Sequence, residues 1–130
     1  MNAVERFLRA SRARDLDAAA AELADDVVML NPASDDPVIG RAAVTAALRA
    51  VEGACDRFRH THLLVEQDPH GDAPLYGLVF EASVGEESLR GVDLIELDAE
   101  DRIRTFTVAT RPVTALMALG TRLRGQRPQP

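Results

Sequence analysis

Apolar residues recur at helical spacing in the first part of the chain and at alternate positions in the second. Residues 2–13 carry Val4, Phe7 and Leu8 as an i, i+3, i+4 stripe, which predicts an amphipathic helix. Asp15 then stands as the N-cap of a short alanine-rich helix running to about Leu23, with Leu16, Ala19, Ala20 and Leu23 on its buried face. Ala24-Asp25-Asp26 closes that helix, and Val27-Val28-Met29-Leu30 reads as a short strand halted by Asn31-Pro32. Residues 33–40 form a loop with room for a brief strand at Val38-Ile39. Residues 41–53 are helical again, with Val44, Ala47, Leu48 and Val51 at core spacing. Period two follows: 58–66, 75–84, 88–97 and 103–110 predict four consecutive strands, joined by turns at His70-Gly71-Asp72, Gly85-Glu86 and Ala99-Glu100-Asp101. From Pro112 near N1 to about Leu123 the pattern fits a terminal helix or an amphipathic tail.

Three helices ahead of a four-stranded meander imply an α+β arrangement, a curved antiparallel sheet wrapped round the helices. One domain over residues 1–124 is expected, with a frayed tail at 125–130. Several strands are apolar on both faces: Leu78, Phe80, Ala82 and Val84 on one side, Leu75 and Val79 on the other. One face covers the helices; the outer one predicts a homodimer packed sheet to sheet.

Asp93 breaks this pattern. In Gly91-Val92-Asp93-Leu94-Ile95-Glu96-Leu97 it alternates onto the side of Ile95 and Leu97, so a carboxyl group is expected to face the interior. An acid buried without partners raises its pKa and keeps its proton, which makes it a hydrogen-bond donor to a ligand oxygen. Composition narrows the remaining chemistry. All fifteen Lys-plus-Arg positions are arginine, so Schiff-base, pyridoxal-phosphate and phosphate-loop lysine chemistry are excluded. A net charge of −6 gives no reason to expect nucleic acid or an anionic membrane. No apolar run approaches the roughly 18 residues of a membrane span. The N-terminus lacks a signal-peptide layout, and the single Cys55 allows no intrachain disulfide, so a cytoplasmic location is expected.

The pieces Val4-Glu5-Arg6-Phe7, Arg14-Asp15-Leu16-Asp17, Leu23-Ala24-Asp25-Asp26-Val27, Asn31-Pro32, Gly40-Arg41-Ala42-Ala43-Val44 and Asp101-Arg102-Ile103, in this order, carry a resemblance. Over about residues 4–112 the chain resembles the nuclear-transport-factor-2-like (NTF2-like) superfamily, a cone-shaped α+β fold that includes SnoaL-like polyketide cyclases and ketosteroid isomerases. Ketosteroid isomerases pair a neutral buried Asp with a Tyr in an oxyanion hole and use a second Asp as base. The resemblance places Asp93 at the oxyanion-hole acid, Asn31 at the base and Phe7 at the phenol. An amide does not accept a proton near neutral pH and a phenyl ring donates no hydrogen bond, so the ketosteroid route is not expected at these positions.

Other groups are candidates for the missing roles. His60 and His62 alternate on one strand, in register with Phe58 and Leu64, and would both enter the pocket if that face is concave. The alternative turns them to solvent or to the dimer contact. Their spacing also suits a metal with Asp93 as third ligand, but without another histidine nearby or a cysteine pair no metal and no cofactor is expected. Tyr76 shares a face with Leu78 and Phe80 and is a candidate for the absent phenol, or else packs its ring in the core. Asp35 and Asp36 read as turn residues near the cavity mouth. Three functions compete: an apolar pocket for a small hydrophobic, polyketide- or steroid-like ligand, lined by Phe7, Asn31, Leu78, Phe80, Phe106 and Val108 around Asp93; an isomerase or cyclase with His60 or His62 as base; and an interaction module using the outer sheet.

Overall fold

Asn2 and Glu5 open the first helix with a capping box: the Asn2 side chain accepts from the Glu5 amide at 2.9 Å, and the Glu5 carboxylate accepts from the Asn2 amide at 3.4 Å. In this computed structural model, which describes residues 1–71 and 73–126, the cap starts helix α1 (Ala3–Arg12). Its stripe of Val4, Phe7 and Leu8 is buried. Asp15 caps α2 (Leu16–Ala20) by accepting from the Ala18 amide. There follow β1 (Leu23–Leu30), β2 (Val38–Ile39), α3 (Arg41–Ala54), β3 (Arg57–Val65), β4 (Tyr76–Val84), β5 (Glu87–Leu97), β6 (Ile103–Arg111) and α4 (Val113–Gly125). The expected tail lies from residue 127 on outside the described residues, as does Asp72 of the first predicted turn.

The six strands form one curved, unclosed sheet in the order β2-β1-β6-β5-β4-β3. The meander is antiparallel throughout, but β1 runs parallel to β6. That pairing explains why α2 stops at Ala20 rather than near Leu23. The Ile103 amide donates to the Glu22 carbonyl at 2.9 Å and Leu23 pairs with Ile103, so a ladder and a fully buried position outweigh two more helical residues. The helices likewise differ from an N-terminal block of three. α1 and α2 precede the sheet, α3 follows β1 and β2, and residues 113–125 form a true fourth helix. No helix among the described residues is long and apolar enough to cross a membrane.

Arginine side chains staple these elements. Arg6 bridges Glu22 and Asp101, each at 2.7 Å, and so ties α1 to the start of β1 and to the turn before β6. Arg41 donates twice to the Leu23 carbonyl, at 3.0 and 2.9 Å, and pairs with Asp25. Arg122 of α4 reaches the Ala54 carbonyl and Asp56, docking the last helix on the end of α3.

The core is divided. One apolar cluster joins α1, α2 and β1 to Leu78, Ile95, Ile103 and Phe106 of the meander; a second joins Ala82, Val84 and Leu89 to Ala54 and to Ala115 and Leu119 of α4. Between them the concave face carries Phe80 on β4 and, on β5, Gly91 and Asp93. Gly91 is required there. A Cβ at this position would stand 2.4 Å from Phe80 Cζ and 2.5 Å from the Ala109 carbonyl oxygen, so the Phe80 ring lies directly over bare backbone. Gly91→Ala is expected to cost about 1–3 kcal/mol, because backbone has to move. Gly77→Ala, whose Cβ meets Val92 Cγ2 at 3.4 Å, should change stability by less than about 1 kcal/mol. Chemical denaturation of the two variants checks the contrast.

Candidate functional site

The gap between the two apolar clusters is a cavity of about 680 Å³. α1 contributes Phe7, α3 contributes Leu48 and Val51, the sheet contributes Phe80 and Val108, and α4 closes the side with Leu116 and Leu119. The Phe7 ring meets Phe106 edge-on at 5.6 Å between centroids, while Phe80 stacks on Phe58 at 5.1 Å. These contacts hold an apolar wall in fixed rotamers.

Asp93 stands in that wall at 5% exposure. Burial pushes its pKa up, and the adjacent His60 opposes the shift only in part. His60 Nε2 lies 3.6 Å from Asp93 Oδ2, just beyond hydrogen-bond length, and both side chains are 6% exposed. Phe58 meets the imidazole edge-on at 5.2 Å and fixes its plane.

His62 does not accompany His60. A β-bulge between them makes His60 pair with Phe80 and His62 with Val79, two residues on opposite faces of β4. The extra residue, Thr61, therefore turns His62 outward, where its Nδ1 lies 2.9 Å from Thr61 Oγ1. Strict alternation could not anticipate this. The same bulge removes the His-x-His chelate, and among the described residues no three His, Cys, Asp or Glu side chains are grouped to hold a metal ion.

Tyr76 has the concave parity expected of it but sits beyond the cavity. Fully buried Leu78 stands between it and Phe80, its cross-strand neighbour is Ile95, and its hydroxyl accepts from Asn2 Nδ2 at 3.1 Å. Leu78 belongs to the first core cluster and is not part of the cavity wall. Phe7, Asn31, Phe80, Phe106 and Val108 do line the cavity. Asn31 uses its Oδ1 to accept from the Ala33 amide at 3.1 Å, an Asx turn that shapes the loop at the mouth. Asp35 and Asp36 are exposed and outside the lining. Cys55 lines the wall half-buried, and burial raises its thiol pKa, which keeps it in the less reactive form. Sequence reasoning missed Phe58, Leu89, Thr110 and the face of α4. Phe58 and Thr110 carried a usable signal, since they share parity with His60 and with Phe106 and Val108 respectively.

Comparison with known proteins places this geometry. The family model described as a SnoaL-like domain matches residues 4–106. No curated protein sequence matches the chain. Among solved structures, a steroid delta-isomerase from Pseudomonas aeruginosa superposes with a TM-score of 0.84 at 29% identity, covering 95% of this chain and 88% of that one. An uncharacterized bacterial protein with a cystatin-like fold from Silicibacter pomeroyi gives 0.82 at 28% identity, covering 95% and 84%. An NTF2-like protein of unknown function from Burkholderia pseudomallei gives 0.67 at 20% identity over 90% and 94%, a likeness of fold alone. The chain belongs to the SnoaL-like domain family of the NTF2-like superfamily.

Proposed function

We propose that the cavity binds a small apolar carbonyl compound, polyketide- or steroid-like, and that Asp93 donates a hydrogen bond to its oxygen. One observation carries this reading: a carboxyl buried to 5% exposure, with its pKa pushed up, in the wall of an apolar cavity of about 680 Å³. That volume lies within the roughly 300–1,000 Å³ usual for small-molecule sites. Likeness to a steroid delta-isomerase makes steroid ketones the first probes to try.

A specific distance favours a second, catalytic reading. With His60 Nε2 3.6 Å from Asp93, one ligand position can contact both groups. In this reading a neutral imidazole takes a proton from the carbon next to the carbonyl. The C–H electron pair moves toward the carbonyl oxygen, Asp93 stabilises the enolate by hydrogen bonding, and His60 returns the proton to the same or another carbon. The base and phenol of ketosteroid isomerases are not reproduced, since Asn31 and Phe7 occupy those positions.

We also infer that the outer sheet face packs against a second copy of the chain. Val79, Val92 and Leu94 are half-buried there and framed by Arg59, Glu81, Arg90 and Glu96. These opposed charges suit a self-complementary contact.

Three measurements test these readings. Binding of a steroid ketone should be strongest at low pH and weaken as pH rises through the raised Asp93 pKa. Asp93→Ala should weaken it by about tenfold or more, and Asp93→Asn should make it independent of pH across that range. The sign for stability is the same. A carboxyl with a raised folded pKa contributes fully below its unfolded value near 3.9, and the contribution is lost as pH rises through the folded value. Thermal melts should therefore move in favour of Asp93→Asn, relative to wild type, as pH increases; a constant difference counts against a protonated Asp93. For the catalytic reading, wild type should exchange solvent deuterium into the α-position of a bound steroid ketone, and His60→Gln should slow this by about a hundredfold or more. Equal exchange in both proteins leaves binding as the function. For the dimer, native mass spectrometry should show two copies for wild type and one for Val92→Arg.

A further inference from the structure

Thr110 is the group in the cavity wall that nothing above uses. It lies on β6 opposite Gly91 of β5, one step along the sheet from the pair formed by Asp93 and Val108. Its Oγ1 is buried and has no hydrogen-bond partner among the described residues. A buried hydroxyl without a partner costs about 1–3 kcal/mol relative to a satisfied one, and valine would fill the same space without that cost. In its present rotamer Oγ1 is out of contact with the cavity space, and a turn of about 120° about the Cα–Cβ bond, to another staggered position, would present the hydroxyl to a molecule in the cavity.

We propose that Thr110 forms a second polar subsite, and that the ligand is a rigid apolar skeleton with two neutral oxygen functions, one meeting Asp93 and the other Thr110. This rests on the reading of the cavity as a pocket for a carbonyl compound and sharpens its ligand class. Gly91, Asp93, Val108 and Thr110 form a square on the concave face, with the two polar residues on one diagonal. Diagonal neighbours on paired strands stand about 7–8 Å apart between backbones, a span that two oxygens separated by a fused ring can bridge. The opposite diagonal is apolar: Val108 at one corner, and at the other Gly91, covered by the Phe80 ring. Leu89 and Leu119 enclose the Thr110 end, so a carboxylate or ammonium there would be buried without compensation. A hydroxyl or ketone fits, because threonine can donate to it or accept from it.

Two naphthols test this. 2-Naphthol carries one oxygen, and 2,6-dihydroxynaphthalene carries two on opposite ends of the same skeleton. Fluorescence titration of wild type should show the dihydroxy compound binding about tenfold more tightly, and in Thr110→Val that ratio should fall to about one. The melting temperature of ligand-free Thr110→Val should equal or exceed that of wild type. Overturning results are a wild type that does not distinguish the probes, a ratio that survives in Thr110→Val, or a ligand-free variant that melts earlier. Asp93→Ala separates the two levels of the argument. If it weakens both probes while Thr110→Val leaves their ratio intact, only the second subsite fails; if wild type binds neither probe, the pocket reading fails with it.

Discussion

A curved sheet presents more concave surface than the helices in front of it can cover, and this packing constraint governs the molecule. α1 and α2 seal one end through Val4, Phe7 and Leu8, while α4 seals the other through Ala115 and Leu119. Neither group reaches the middle, where β5 replaces the large aliphatics of its ends, Leu89 and Ile95, with Gly91 and Asp93. No side chain from β5 fills that middle. The sequence supplies a hydrogen atom and a carboxyl instead, and the Phe80 ring takes up only the space above the glycine.

Much of this was legible without coordinates, and the boundary between what could and could not be read is physical. Periodicity found the strands of the meander and three of the helices because each buries one face, and burial is what periodicity records. Asp93 was legible as an acid on an apolar face. His62 was not, since a bulge changes parity without altering composition, and no residue type marks the extra position at Thr61. Tyr76 failed for another reason. Parity fixes the face but not the depth along the strand, and Leu78 stands between it and Phe80 of the cavity wall. The end of α2 was misplaced because Leu23 suits a helix and a strand equally, and only pairing with β6, eighty residues away in sequence, decides between them.

Asn31 takes part in the turn at the cavity mouth. Its Oδ1 accepts from the Ala33 amide and forms the turn at the cavity mouth, and an aspartate would make the same bond. The turn therefore does not demand the amide, and what the substitution changes is charge. A second carboxylate in this wall would add a like charge to the one Asp93 can carry, and like charges in a poorly solvated space raise each other's pKa. Arg14, Glu52 and Arg124 also line the cavity, but with Asn31 neutral, Asp93 and His60 are the adjacent ionisable pair of the wall. They can share one proton without any net charge being buried, which is the least costly ionisable pair for an apolar wall.

That economy bears on how the pair is held. Among the described residues no further charged group pairs with either side chain, and at 3.6 Å they are not hydrogen-bonded to each other. Their positions come from packing: the Phe58 ring against the imidazole, Phe58 stacked on Phe80, and Phe80 seated on Gly91, which is two residues from Asp93 on the same face. The chain of contacts starts and ends on β5. Displacing Phe80 from the bare backbone would therefore shift His60 relative to Asp93 without touching either, so the glycine that seats Phe80 also sets the geometry of the polar pair.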